Sequence, residues 1–125
     1  MSLQSGDWVG GYQLLQVLGA GGMGQVWLAR DEALARRVAL KFLPEALTRD
    51  PLRVSRFEQE ARATSALNHP NVCHIYALGT TDAGQRYIAM ELVEGHTLRS
   101  RLEHARLSLP ESLQIACQIG AAVAA

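Results

Sequence analysis

The chain changes its hydrophobic rhythm several times, and each change predicts an element. Tyr12-Gln13-Leu14-Leu15-Gln16-Val17-Leu18 reads as a strand. Gln25-Val26-Trp27-Leu28-Ala29-Arg30 is β-branched and aromatic without a helical stripe, so it predicts a second strand and a first hairpin over residues 12–31. A polar connection over 31–36 leads to a third strand from Arg37 to Leu43, which Pro44 ends. The period then turns helical. Val54, Phe57 and Ala61 fall at i, i+3 and i+7, and Asp50-Pro51 suits an N-cap and first helical position, so a helix is predicted from Pro51 to Leu67. Asn68-His69-Pro70 stops it, because the residue before proline avoids the helical region. Val72 to Leu78 predicts a fourth strand, Thr80 to Gln85 a turn, and Arg86 to Glu91 a fifth strand. The order is that of an α+β fold with five strands and one main helix.

Outside this stretch the character differs. Residues 1–11 read as a loosely held lead-in, with Trp8 and Val9 as candidates to pack on the sheet. After Glu94-Gly95, residues 97–103 predict a short helix. Ser108-Leu109-Pro110-Glu111 has the spacing of a capping box and opens a helix to the end of the sequence. From Leu113 to Ala125 that helix is apolar on nearly every side, a pattern normal for a buried helix. Leu98, Leu102, Leu113, Ile115, Ala116, Ile119 and Val123 therefore need a partner, and association of two copies is the simplest expectation.

Composition narrows the function classes. At 125 residues there is room for one small domain, and 48% hydrophobic with 19% charged residues is ordinary for a globular protein. A formal net charge of zero gives no basic footprint, so nucleic acid is not an expected partner. The two cysteines, Cys73 and Cys117, are too few for a disulfide framework, which favours a reduced, cytoplasmic setting. The first residues lack the charged and apolar regions of a signal peptide, and no apolar run approaches the roughly 20 residues that span a bilayer. His74, His96 and His104 have no metal-ligand spacing.

The chemistry is concentrated in Leu18-Gly19-Ala20-Gly21-Gly22-Met23-Gly24-Gln25-Val26, where Gly19, Gly21 and Gly24 spell G-x-G-x-x-G and Val26 extends it. Glycine lacks a Cβ, so such a turn brings backbone N–H groups close to an anion, phosphate above all. Two architectures use this spelling. A dinucleotide-binding fold leads from a strand through the loop into a helix. A protein kinase uses the loop to join two antiparallel strands. The strand predicted after the loop favours the second.

With Val38-Ala39-Leu40-Lys41 following, the chain resembles the N-terminal lobe of a bacterial eukaryotic-like Ser/Thr protein kinase, from about Tyr12 to the last residue. The resemblance implies a small lobe with a five-stranded antiparallel sheet over residues 12–93. Residues 94–125 would then be the end of the hinge and the first two helices of an incomplete large lobe. It implies ATP as ligand, with Leu18, Gly19, Ala20, Gly21, Gly22, Met23, Gly24 and Val26 over the nucleotide and Val26 and Ala39 as roof of the adenine pocket. Lys41 resembles the lysine that contacts the α- and β-phosphates. Glu60 resembles the helix glutamate that pairs with it, in preference to Glu58, which lies about 200° away around the helix. Met90 would be the gatekeeper, and Glu91 and Val93 would offer backbone groups to adenine. Cys73 falls near the same pocket by resemblance, although a buried structural cysteine is the plainer reading. His69-Pro70-Asn71 matches the family's loop after the helix and reads as structural.

The catalytic-loop Asp and Asn, and the Asp of Asp-Phe-Gly that holds Mg²⁺ in kinases, have no counterpart in these 125 residues. The expectation is a parent kinase acting on protein Ser/Thr with ATP and Mg²⁺, and a 125-residue chain that does not itself transfer phosphate. The alternative is a non-catalytic nucleotide-binding or regulatory module acting by association.

Overall fold

The computed structural model describes residues 3–20 and 24–125. Strands β1 (Trp8–Val9), β2 (Tyr12–Gly19), β3 (Val26–Asp31), β4 (Arg36–Phe42), β5 (Ile75–Thr80) and β6 (Arg86–Glu91) form one antiparallel sheet in the order β1-β2-β3-β4-β6-β5. Helices α1 (Glu45–Thr48) and α2 (Pro51–Ser65) connect β4 to β5, and α3 (Leu98–His104) and α4 (Leu109–Ala124) follow β6.

The sheet has six strands rather than the five predicted. Gly10-Gly11 makes a two-residue turn, with Gly10 at φ +56°, and folds Trp8–Val9 back on Tyr12–Gln13. The lead-in is thus tied down: Gly6 N–H donates to Leu14 O at 2.7 Å and Leu14 N–H to Asp7 O at 2.8 Å. Val9 is 4% exposed and joins the core, whereas Trp8 points outward at 57%.

Other boundaries shift modestly. The second and third strands run Val26–Asp31 and Arg36–Phe42. Helix α2 stops at Ser65, not Leu67, where the Thr64 and Ser65 hydroxyls bond back to the Glu60 and Arg62 carbonyls. Its start is as predicted, with Asp50 Oδ1 accepting from Leu52 N–H at 3.0 Å. The short α1, with Pro44 at its N-cap, was not foreseen. The fourth predicted strand begins at Ile75 instead of Val72, because residues 69–72 turn: Val72 N–H reaches His69 O, and Asn71 donates to Gln118 O of α4 at 3.0 Å. Ser108 Oγ accepts from Glu111 N–H, so α4 opens where the capping spacing put it; the Glu111 carboxylate goes to Arg101 rather than back to Ser108. Among the described residues no helix is long and apolar enough to cross a membrane.

Strand alternation divides the sheet into two faces. Val38, Leu40 and Phe42 of β4 pack with Trp27, Ala29, Leu14, Val9, Tyr87 and Ala89 into the core. Burying each large side chain there contributes about 1.5–3 kcal/mol. The intervening residues, Ala39 and Lys41, fall on the other face, where Lys41 shares a cavity with Phe57 and Glu60 of α2.

Candidate functional site

Register brings the predicted residues to this second face. Val26 stands opposite Lys41 and Leu28 opposite Ala39 on one side; Ile88 stands opposite Lys41 and Met90 opposite Ala39 on the other. Val26, Ala39, Lys41 and Met90 are therefore neighbours on one surface, although they come from three strands. Helix α2 covers part of that surface. Between them lies a cavity of about 230 Å³ bordered by Lys41, Glu60, Cys73 and Met90, with Ile75 and Ile88 as its sheet floor. A second cavity of about 270 Å³ lies toward the helix start and is bordered by Lys41, Arg53, Arg56 and Glu60. Lys41 and Glu60 line both.

They do not touch. Lys41 forms no ion pair among the described residues, and neither does Glu60. The rival carboxylate, Glu58, faces away from Lys41, reaching Arg62 at 3.4 Å and Arg86 at 3.3 Å. The Glu58–Arg62 contact has an i, i+4 signature in the sequence. The Arg86 contact crosses 28 positions and has none.

At the glycine loop, Gly19 closes β2 and Leu18 is an exposed extra residue at a register shift between Val17 and Gly19. Gly21, Gly22 and Met23 lie outside the described residues. Gly24 is at φ +98°, and a Cβ there would run into the Phe42 carbonyl oxygen. Only glycine fits this position. The next residue is pinned as well, since Phe42 N–H donates to Gln25 O at 2.9 Å. The far end of the loop is thus fastened beside Lys41.

The segment after Met90 is partly committed. Glu91 N–H donates to His74 O at 2.8 Å, and the Cys73 thiol donates to Glu91 O at 3.4 Å. That contact is weak, and a carbonyl has a second lone pair, so Glu91 O keeps acceptor capacity. Val93 is exposed and its backbone makes no hydrogen bond among the described residues. Burial, and then the nearby Glu91 charge, push the Cys73 thiol above its ordinary value despite the hydrogen bond to Glu91 O, so it stays protonated and serves as a donor. This internal bond, which ties the start of β5 to the end of β6, could not be read from the sequence. Among the described residues no cluster of three or more His, Cys, Asp or Glu side chains could hold a metal ion.

Comparison with known proteins gives the family and the fold. The protein kinase domain family model matches residues 12–125. The chain is 41% identical over 119 residues to serine/threonine-protein kinase PknA of Mycobacterium tuberculosis, a match covering 91% of this chain and 28% of PknA. It is 44% identical over 116 residues to serine/threonine-protein kinase PrkC of Bacillus subtilis, covering 92% of this chain and 18% of PrkC. Among solved structures, the Mycobacterium tuberculosis PknI kinase domain superposes with a TM-score of 0.82 at 30% identity, covering 94% of this chain and 48% of that one. The chain therefore spans a minor part of its curated relatives and about half of a solved kinase domain.

Proposed function

Since this chain belongs to the protein kinase family, we propose that it supplies the ATP-binding lobe of a Ser/Thr protein kinase. The observation that carries the reading is the shared face: Val26, Ala39, Lys41 and Met90 adjoin on the sheet, with Glu60 across the same cavity. Val26 and Ala39 offer apolar walls to a purine, with Leu18 at the rim and Met90 at the back. The Glu91 carbonyl and Val93 N–H are the backbone groups for the adenine edge. Gly19, Ala20, Gly21, Gly22, Met23 and Gly24 form the phosphate cover, and the space a Cβ would need at Gly24 is already filled by backbone. Lys41 provides a compact cation for the α- and β-phosphates, and Glu60, across the same cavity, is the carboxylate proposed to pair with it when nucleotide binds. ATP, when bound, supplies the γ-phosphoryl group that kinases transfer.

Kinases also use Mg²⁺, but the described residues offer no carboxylate cluster to hold it. The sequence also lacks a catalytic-loop Asp, so the 125-residue chain is expected to bind nucleotide weakly and to transfer no phosphate. Phosphorylation of protein Ser/Thr requires the catalytic-loop and Mg²⁺-holding residues that these 125 residues lack.

Titrating the chain with ATP and with adenosine, without and with Mg²⁺, tests the reading. ATP is expected to bind more tightly than adenosine, weakly and with little help from Mg²⁺, and Lys41→Met is expected to abolish the preference. Equal affinity for ATP and adenosine in the unaltered chain would overturn the phosphate role. Tight, Mg²⁺-dependent affinity would overturn the expectation of weak binding.

A second reading, a non-catalytic module acting by association, draws on α4. That helix has no buried residue and exposes Leu109, Leu113, Ile119 and Val123. A second copy of the chain is the proposed cover. Light scattering at micromolar concentration would detect it, and a strictly monomeric species would exclude it.

A further inference from the structure

Helix α2 is held to the sheet by little. Ala61 is its one buried residue, and it packs mainly on β5 and the four-residue α1. Among the described residues a single polar tie joins it to the sheet: Arg86 Nη1 of β6 lies 3.3 Å from Glu58 Oε1. Arg86 is itself oriented by donating to Thr80 Oγ1 at 2.9 Å, across the β5–β6 hairpin. Arg62, one turn along α2, contacts the other Glu58 oxygen at 3.4 Å. The Glu58 side chain is only 23% exposed, so the contact is better shielded than a fully solvated surface pair.

Position on the helix gives this tie its consequence. Glu58 and Glu60 project on opposite flanks of α2, with Phe57 lining the cavity on the Glu58 side and both cavities on the Glu60 side. A roll of about 30° sweeps a carboxylate that lies about 6 Å from the helix axis through about 3 Å. Nothing else polar among the described residues resists such a roll, and Lys41 and Glu60 stand across one cavity without contact.

We infer that Glu58 and Arg86 form a latch that fixes the rotation of α2 and thereby keeps Glu60 on the cavity that Lys41 borders, within reach of a pairing that bound phosphate completes. Both are positioning residues, and the inference rests on the reading of Lys41 and Glu60 as the phosphate-binding pair. Breaking the latch frees the helix to roll and lets Glu60 leave the cavity it shares with Lys41, while the core face of the sheet is untouched.

Hydrogen exchange and nucleotide titration on the 125-residue chain test it. In Arg86→Gln and in Glu58→Gln, the α2 amides are expected to exchange about threefold faster while those of β3 and β4 stay unchanged. Glu58→Gln leaves the β5–β6 hairpin itself unaltered, so it reports even if Arg86→Gln disturbs the hairpin. Unchanged α2 exchange in both variants overturns the latch. For the positioning role, each variant should lower the ratio of ATP to adenosine affinity about threefold, and Arg86→Lys should recover part of it. In a Glu60→Gln background, Arg86→Gln should leave that ratio where it was, because the group being positioned is gone. Additive losses overturn the positioning role. An unaltered chain with no preference for ATP removes the phosphate-binding reading and the positioning role together, while exchange still decides whether the latch exists.

Discussion

The two faces of the sheet are built from the same strands and do opposite things. On β4, Val38, Leu40 and Phe42 are sealed in the core, and Lys41, on the alternate face with Ala39, borders open cavities. The core face is closed by long-range packing from β1, β2 and β6. The other face is covered only partly by α2, which buries one residue and leaves room of ligand size. One face stores stability, and the other keeps an unfilled, charged surface. The lesson is that alternation alone lets a five-residue run such as Val38–Phe42 serve both ends, provided each face has its own partners.

Substitutions on adjacent residues can break this division. The largest expected effect is on the core face: Leu40→Ala or Phe42→Ala should cost about 3–5 kcal/mol and lower the urea midpoint steeply. Gly24→Ala should come next, at about 1–3 kcal/mol, since it combines a left-handed backbone with a collision at the Phe42 carbonyl. That variant should also weaken ATP binding, because the same residue anchors the glycine loop. A midpoint unchanged in Gly24→Ala would contradict the close approach.

Alkaline pH probes both faces together. Burial raises Tyr12 and Tyr87 above 10.0, with the Asp31 charge adding to Tyr12, and burial followed by Glu91 raises Cys73 above 9.0. In all three the folded state favours the neutral, protonated form. Their contribution to stability is therefore complete below the ordinary values and is lost as pH rises through the raised ones. Urea midpoints measured at pH 8 and pH 10.5 should fall at the higher pH, and Cys73 should be alkylated more slowly than the exposed Cys117 at pH 8. The smallest effect on stability is expected for Lys41→Met, within about 0.5 kcal/mol, together with loss of the preference for ATP. A large loss of stability there would mean that Lys41 belongs to the core rather than to the site.

Much of this arrangement was legible in the sequence, for identifiable reasons. The first hairpin, the third strand, the α2 cap at Asp50 and the α4 cap at Ser108 are written in local chemistry: turn residues, capping hydroxyls and a single carboxylate. The family of the glycine loop followed from the strand after it. Features set by distant partners were not legible. Strand β1 has only two residues, and its sole local signal was Gly10-Gly11. Helix α1 is one turn, too short for a periodicity to register. The delayed start of β5 reflects a turn at 69–72 linked to Gln118. Within the site, the Ala39–Met90 register, the Cys73–Glu91 bond and the Glu58–Arg86 tie all join separate elements, and no spacing rule announces them. The sequence also favoured Glu60 over Glu58 for Lys41; the fold gives Glu58 other partners and leaves Glu60 beside Lys41 but unpaired.

The most direct test uses methyl resonances from neighbouring positions on opposite faces during titration with ATP. Val26, Ala39 and Met90 should shift in proportion to bound nucleotide, while Val38, Leu40 and Ala89 should stay nearly still. Equal shifts on both faces, or shifts confined to the core methyls, would contradict the assignment of the nucleotide to the α2-side face.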